Sequence, residues 1–240
     1  MRVLVIGGCG DVGRLILPAL AERHRVRVFD LAEPTPAMAE DFCQGSVTDP
    51  DAVAAAMHGQ DAVVFLAMGP KADWGTPRWA AANFDVSVTG LHLTLNAAGA
   101  AGVKRFVHTS SASVFTDYKL QDHTRDPAPD ADDTYGLSKR LGEQVCAAAS
   151  RQFDMSVTSL RLVGPMSDDD WQTDISEHRD VVTAGSDVAR AYLAALDLHH
   201  SGFRALIISG DTDRAVIDWS GSRTALGWSP QARRDGSGTS

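Results

Sequence analysis

A glycine-rich turn between two apolar runs, all within residues 2–30, constrains the fold of this chain more than any other stretch. The first run occupies residues 2–6, and residues 7–13 follow with the sequence GGCGDVG. An uninterrupted run of branched aliphatic residues suits a strand that is buried on both faces. Apolar residues then recur at helical spacing from Leu15 to Leu20. The stretch therefore predicts a strand, a tight turn and a helix.

This order of elements can hold a pyrophosphate, because a helix N-terminus offers free N–H groups and the positive end of its dipole. The spacing Gly7-x-x-Gly10-x-x-Gly13 differs from the commoner G-x-G-x-x-G form, so an ordinary tight turn is the alternative interpretation. Asp30 ends the second apolar run, where a carboxylate can accept from a ribose 2′-hydroxyl and would repel a 2′-phosphate. These residues favour NAD over NADP. Arg14 could instead pair with a phosphate, or it could simply lie in solvent.

Composition narrows the classes of function. The net charge of −9 argues against nucleic acid and against an anionic membrane surface as partners. No apolar run approaches the ~20 residues of a membrane span, and the N-terminus does not resemble a secretion signal. The three cysteines are scattered, without a C-x-x-C pair, and indicate neither a metal site nor a disulfide framework. We therefore expect a cytoplasmic protein with a small-molecule substrate and no metal.

Apolar strands and helices alternate along the rest of the chain, which predicts an α/β fold, a Rossmann-type doubly wound parallel sheet of about seven strands. We expect one domain over residues 1–230, with a small C-terminal substrate-binding portion. Its elements are expected at about 163–185 and 210–230, and a disordered tail at 231–240. In such sheets ligands bind beyond the carboxyl ends of the strands.

Two long helices are expected, at about 79–101 and 134–153, and an acidic, irregular segment at 166–179. The second helix begins with Tyr135 and Lys139, which are four residues apart and therefore lie on one face. A free tyrosine titrates near ~10, and a neighbouring ammonium would lower its pKa toward the range of a general base. The alternative interpretation is a Tyr/Lys pair on a helix surface.

Hydroxyl groups cluster at residues 109–113, where the fifth expected strand ends. Hydroxyls at that edge of the sheet can donate to a carbonyl oxygen as it gains charge. Such clusters are also ordinary turn formers. The order of the glycine turn, the hydroxyl cluster and the Tyr/Lys pair in one chain is more specific than any of the three alone.

Together these motifs resemble the extended short-chain dehydrogenase/reductase family, the NAD-dependent epimerases and dehydratases, over about residues 1–230. The resemblance implies that Ser111, Tyr135 and Lys139 are catalytic, with Tyr135 as the general acid/base and Lys139 also on the nicotinamide ribose. It further implies a homodimer that pairs through the two long helices, whose alanine-rich faces permit close approach. The expected contacts to NAD are Gly7, Gly10, Asp11, Val12, Gly13, Asp30, Ser46, Val47, Leu66, Ala67, Met68, Thr109, Tyr135 and Lys139.

The expected substrate contacts are Ser111, Ser113 and Arg161. The short C-terminal part is similar to that of uronate dehydrogenases, which oxidise a sugar acid, but no secure counterpart of a carboxylate-binding arginine is seen. Lys71, Arg161 and Arg179 are the candidates. The chain also departs from the family pattern at Ser46, where an aspartate is usual, and at Ser87, where an asparagine is usual.

Three hypotheses follow from the sequence. The first is an NAD-dependent oxidoreductase that acts on a small sugar, sugar acid or polyol. The second is an NAD-dependent sugar or nucleotide-sugar epimerase, which would use the same residues to oxidise and re-reduce one carbon. The third is a non-catalytic NAD-binding sensor, against which the intact Ser111, Tyr135 and Lys139 argue. The substrate and the direction of the reaction are left open.

Overall fold

A parallel sheet of seven strands forms the centre of the protein. The computed structural model describes residues 1–35, 41–123 and 127–234. The sheet order is β3-β2-β1-β4-β5-β6-β9, which confirms the predicted doubly wound α/β fold. The strands are β1 (Arg2–Ile6), β2 (Arg25–Asp30), β3 (Asp41–Gln44), β4 (Ala62–Phe65), β5 (Arg105–Ser111), β6 (Ser156–Leu162), β7 (Pro165–Met166), β8 (Thr183–Ala184) and β9 (Phe203–Ile208), where β7 and β8 form a separate small pair.

Helices cover both faces of this sheet. Val3 and Val5 of β1 point into one core, with residues of α1 and α7, while Leu4 and Ile6 point into the other, with residues of α2, α4 and α5. This is why the first strand is apolar at consecutive positions. The helices are α1 (Asp11–Arg23), α2 (Pro50–Met57), α3 (Pro77–Phe84), α4 (Leu91–Ala100), α5 (Thr134–Phe153), α6 (Asp168–Thr173), α7 (Gly185–Asp197) and α8 (Ser220–Leu226).

The two long helices differ in how closely they match the expectation. The second is confirmed as α5, with the expected bounds. The first begins at Pro77, two residues earlier than expected, because the Thr76 side chain caps it by accepting from the N–H of Trp79. It also contains a π-helical turn at Asp85–Gly90, between α3 and α4. A π turn shifts the apolar pattern by a single residue, so periodicity alone did not indicate it.

The segment at 166–179 is more ordered than expected. It contains α6, which Ser167 caps by accepting from the N–H of Asp170, and an acidic first turn that suits the helix dipole. Trp171 of this helix is buried and donates to the carbonyl oxygen of Val182 at 3.1 Å. The serine followed by acidic residues was the signal for this helix, and the expectation of an irregular segment was wrong here.

The tail that was expected to be disordered from residue 231 is held in place as far as Arg234. The backbone N–H groups of Gln231 and Ala232 donate to the carboxylate of Asp187. The guanidinium of Arg234 lies 4.3 Å from the centre of the Trp171 ring. Residues 235–240 lie outside the described residues. Within the described part of the chain, no helix is long and apolar enough to cross a membrane.

Candidate active site

The glycine turn connects β1 to α1 where the order of the strands reverses. Gly7 has a φ of +79°, and a Cβ there would lie 2.6 Å from the backbone nitrogen of Ala67, in the loop after β4. A Cβ on Gly13 would lie 2.0 Å from the carbonyl oxygen of Gly8. Glycine is therefore needed at both positions for the backbone to approach itself. The turn holds the N-terminus of α1 against the loop that follows β4.

This N-terminus is available to a ligand. Gly10 precedes the helix and supplies no side-chain cap. The first N–H groups of a helix have no acceptor within it, and together with the helix dipole they favour an anionic group. Asp11 in the first turn forms an exposed ion pair with Lys71 from the loop after β4.

A cleft of about 450 Å³ runs from this helix terminus along the carboxyl edge of the sheet. Thirteen of the fourteen expected NAD contacts line it; the exception is Gly13, which packs inside the turn instead. The remaining residues of the lining were not among the expected NAD contacts, although Lys71 was a candidate for a substrate carboxylate. They are Cys9, Phe29, Leu31, Ala32, Gly45, Gly69, Lys71 and Val86.

Asp30 lies at one end of the cleft, at the last position of β2, and is half-buried. Its carboxylate accepts from the N–H of Cys9 at 2.9 Å and from the N–H of Ala32 at 3.1 Å. The carboxylate therefore braces the glycine turn as well as facing the cleft. Burial and the nearby Asp30 raise the pKa of the Cys9 thiol to about 11, so this thiol stays protonated.

Tyr135 lies toward the other end of the cleft, in the first turn of α5. Asp133 caps this helix by accepting from the N–H groups of Tyr135 and Gly136, both at 3.0 Å. A Cβ on Gly136 would lie 2.3 Å from the carbonyl oxygen of Ser113, so the helix begins directly against the turn at 112–114. This close approach brings Tyr135 beside Ser111, whose hydroxyl is hydrogen-bonded to it.

Burial raises the pKa of Tyr135 above the usual value of 10, while the hydrogen bond from Ser111 lowers it. The expected lowering of this pKa by Lys139 is not found, and the Asp133 carboxylate raises it further. The physical reason is that the phenolate loses hydration in this site, and the Lys139 ammonium lies 5.8 Å from the centre of the ring. A positive charge bound in the cleft would lower the pKa of this tyrosine.

Lys139 is buried beneath the cleft and donates from Nζ to the carbonyl oxygen of Thr109 at 2.9 Å. Burial lowers its pKa to about 8, although Cys146 and Glu143 oppose this shift. Ser111 and Ser113 come together at the end of β5, with their hydroxyl oxygens 3.1 Å apart. They do not line the cleft themselves, but Ser111 reaches it through Tyr135.

The structure places Arg161 differently from the expected substrate contact. Its guanidinium donates to both carboxylate oxygens of Glu143, at 2.9 Å and 2.8 Å, and both side chains are almost fully buried. Ser110 donates to the same carboxylate at 2.6 Å. Arg161 does not line the cleft with Tyr135. Arg161 lies near the carboxyl end of a strand, where the sequence predicted a free cation. The sequence did not show that Glu143 faces this arginine from α5.

The other two cations considered for a substrate carboxylate also have acidic neighbours. Lys71 pairs with Asp11, and Arg179 lies 4.0 Å from Asp180. Among the described residues, no group of three or more histidine, cysteine, aspartate or glutamate side chains is placed to hold a metal ion.

Two tryptophans beside Tyr135 were missed by the sequence reasoning. The ring centres of Trp74 and Tyr135 are 5.4 Å apart, and those of Trp74 and Trp79 are 4.2 Å apart. Trp79 is 2% exposed, whereas Trp74 is 53% exposed. The available signal was that two of the five tryptophans lie within six residues of each other, in the loop after β4 and in the first turn of α3.

The residues 3–184, which include the glycine turn, Ser111, Tyr135 and Lys139, match the family of NAD dependent epimerases and dehydratases. The chain belongs to this family. Members of this family of enzymes are described as NAD-dependent.

Two of the curated relatives that this chain resembles are named as dehydrogenases of sugars or sugar acids. The L-arabinose 1-dehydrogenase (NAD(P)(+)) of Haloferax volcanii is 28% identical over 261 residues, which cover 99% of this chain and 98% of the relative. The uronate dehydrogenase of Pseudomonas syringae pv. tomato is 28% identical over 165 residues, 67% of this chain and 58% of the relative. The chain spans only 32–47% of the length of several other curated relatives that it matches.

A solved structure from Agrobacterium tumefaciens, a short-chain dehydrogenase/reductase superfamily protein with bound NAD, superposes with a TM-score of 0.80. The two chains are 23% identical, and the match covers 97% of this chain and 93% of that one. The similarity shows that the two proteins share a fold.

Proposed function

We propose that this protein is an NAD-dependent oxidoreductase that transfers a hydride between NAD and a small sugar, sugar acid or polyol. The observation that carries the proposal is the cleft itself. Its one end holds an uncapped helix N-terminus and Asp30, and its other end holds Tyr135 and Lys139. A dinucleotide along this cleft would present its reactive ring to the tyrosine.

The residues of the cleft fit NAD. The helix N-terminus at Gly10 suits the pyrophosphate, and Asp30 suits a ribose 2′-hydroxyl. Leu31, which is 68% exposed beside Asp30, offers an apolar surface for a base. When bound, NAD supplies the hydride acceptor, and its oxidised form carries a positive ring.

The protein side chains then have separate tasks. The oxygen of Tyr135 takes the proton of the substrate alcohol, as a general base. Ser111, already hydrogen-bonded to Tyr135, donates to the substrate oxygen and holds it in place. Lys139, held by the carbonyl oxygen of Thr109, contributes a positive charge beneath the tyrosine and a donor for a ribose hydroxyl.

The relatives support the proposed substrate class. A sugar dehydrogenase matches this chain over nearly its whole length, and a uronate dehydrogenase matches two thirds of it. We assign the substrate-facing portion to residues 163–185 and 210–230, in one domain with the sheet. We further propose that the enzyme acts in the cytoplasm as a homodimer, in keeping with its scattered thiols and with the family's helix pairing.

The experiment is a screen of the purified protein with NAD against L-arabinose, other aldoses, hexuronates and alditols, followed by absorbance at 340 nm. Net NADH formation that disappears in Tyr135→Phe supports the proposal. Conversion of a sugar into its epimer without net NADH would show an epimerase instead. Tight NAD binding with neither activity across the screen would favour a sensor.

A further inference from the structure

We infer that Trp74, backed by Trp79, is a stacking surface for the C–H face of a cyclic sugar whose reacting alcohol lies at Tyr135. The inference rests on the proposed function and narrows it, since it selects ring forms of sugars over open-chain polyols. Its basis is the geometry of three aromatic rings, of which Tyr135 lines the cleft and Trp74 and Trp79 lie beside it.

The first observation is that Trp74 is exposed where chemistry is expected. Its ring is 53% exposed, and its centre lies 5.4 Å from that of Tyr135, at an interplanar angle of 47°. Ring centres 4.5–7 Å apart are in contact by the usual measure, about the spacing of neighbouring rings in a stack. A sugar ring that packs on the exposed part of Trp74 would therefore lie beside Tyr135. A large apolar side chain left in solvent at this place is a surface for a ligand.

The second observation is that the backbone holds Trp74 in position. The flanking residues Asp73 and Gly75 have φ values of 58° and 83°, which make a tight turn. Thr76 closes this turn, because its hydroxyl and its N–H both donate to the carbonyl oxygen of Asp73, at 2.8 Å and 3.0 Å. The same hydroxyl accepts from the N–H of Trp79 at the start of α3. The turn is thus anchored to a helix, and binding need not order it.

The third observation concerns Trp79, which lies beneath Trp74 with ring centres 4.2 Å apart. Its indole nitrogen is buried and has no hydrogen-bond partner among the described residues. Buried polar groups are nearly always paired, and an unpaired one calls for a ligand or an ordered water. Because this nitrogen is shielded from solvent, a ligand on Trp74 does not reach it, and the buried ring of Trp79 acts as the support on which the Trp74 ring rests.

The chemistry selects a sugar ring. The face of an indole carries partial negative charge, and C–H groups of a sugar carry partial positive charge, so the two attract. A closed ring presents several axial C–H groups on one face and loses little conformational freedom on binding. An open-chain polyol presents no such face and must be ordered first. The surface carries no charge of its own, so it serves a neutral aldose and a hexuronate alike.

The kinetic test uses whichever sugar yields NADH in the screen. Trp74→Leu keeps an apolar side chain without an aromatic face, and it should raise the KM for the sugar about tenfold, while kcat changes less than threefold. Trp74→Phe should retain most of the affinity. Inhibition by the alditol derived from the same sugar should be unchanged in both variants. A sugar KM unchanged in Trp74→Leu would overturn the inference.

Leu31→Ala is the matched control, because Leu31 is an exposed apolar residue at the opposite end of the same cleft. It should raise the KM for NAD and leave that for the sugar unchanged, the reverse of Trp74→Leu. If Trp74→Leu instead weakens the binding of NAD as much as the binding of the sugar, the tryptophan contacts the cofactor and the inference is wrong.

A second readout does not depend on turnover. The five tryptophans give five indole N–H signals in a protein labelled with ¹⁵N-tryptophan. Trp74 is assigned by the signal missing in Trp74→Phe, and Trp79 by Trp79→Phe. Adding L-arabinose or a hexuronate to the enzyme saturated with NADH should shift both signals. Shifts without any turnover would support the stacking surface but refute the proposed reaction. Turnover without shifts would support the proposed reaction but refute the stacking surface.

Discussion

The ammonium nitrogen of Lys139 lies 5.8 Å from the centre of the Tyr135 ring, one helical turn further along α5. Burial raises the pKa of Tyr135. Lys139 is held by Thr109 and has its own pKa lowered to about 8. We therefore expect the proposed general base to depend on positive charge brought into the cleft as well as on Lys139.

Replacing Tyr135 with phenylalanine should remove the general base and keep the ring. Turnover should fall by about 10²–10⁴-fold, the usual contribution of general acid–base catalysis. NAD affinity and the free energy of unfolding should change little, as measured by calorimetric titration and urea unfolding. Ser111→Ala should cost about 10²-fold, as the loss of one donor to a developing oxyanion does. Full activity in Tyr135→Phe would contradict the assignment.

The rate of substrate oxidation should depend on pH through both groups. The phenol of Tyr135 has a raised pKa, so its ionised fraction, and with it the rate, should increase as the pH rises through the neutral range. The Lys139 ammonium is present below its pKa of about 8 and is lost above it, so the rise should flatten there. In Lys139→Met the rise should move to higher pH. A profile that is identical in both proteins would refute a role of the lysine charge.

Asp30 should set the preference for NAD over NADP. Asp30→Asn keeps an acceptor for the N–H of Cys9 or Ala32 but removes the charge that repels a 2′-phosphate. We expect the ratio of the two dissociation constants, measured by calorimetry, to move toward one. Arg14→Ala is the control, because Arg14 is exposed in the first turn of α1 and should affect NADP alone if it binds a phosphate. Equal binding of both cofactors by the intact protein would show that Asp30 does not discriminate.

The buried pair of Arg161 and Glu143 should stabilise the fold rather than bind substrate. Glu143→Gln should destabilise the protein by about 3–5 kcal/mol in urea unfolding, because it leaves a buried charge unpaired. Replacing both residues, as Arg161→Met with Glu143→Leu, should recover much of this loss. The KM for the substrate should stay within about twofold in that double variant, since the pair lies outside the cleft. A large increase in KM with unchanged stability would restore Arg161 as a substrate contact.

Light scattering at micromolar concentration should report twice the monomer mass of 25.6 kDa. The surface for pairing is narrower than the sequence indicated, because Ala98 and Ala149 face the core. Gln144, Ala148 and Arg151 form an exposed row on α5. Ala148→Arg should therefore weaken the dimer while leaving the fold intact by circular dichroism. A monomer in the intact protein would refute the pairing.

The sequence predicted those parts of the molecule that depend on local pattern. The buried strands, the glycine turn and the bounds of α5 follow from apolar runs, from a backbone that only glycine permits, and from the Asp133 cap. These same features bring the turn and Tyr135 to one edge of the sheet, because parallel strands all end there. The fold and most of the cleft were therefore accessible without coordinates.

What the sequence did not reveal depends on contacts between distant residues. Glu143 of α5 pairs with Arg161 of β6, and nothing in either segment identifies the partner. The balance that raises the pKa of Tyr135 depends on how completely α5 and the loop after β4 exclude water. Trp74 lies in an irregular turn without periodicity, so its position beside Tyr135 emerges only when the chain is folded.

The π turn at Asp85–Gly90 separates α3 from α4, and the buried faces of these two helices make different contacts. Before it, Trp79 and Asn83 are directed toward α5 and the aromatic cluster; after it, Leu91 and Leu95 enter the core beneath the sheet. Since each residue turns an α-helix by about 100°, deleting one residue here would rotate Trp79 and Asn83 away from their present contacts while Leu91 and Leu95 stay in the core. The number of residues in this turn therefore sets the position of the aromatic cluster beside Tyr135 separately from the packing of the core.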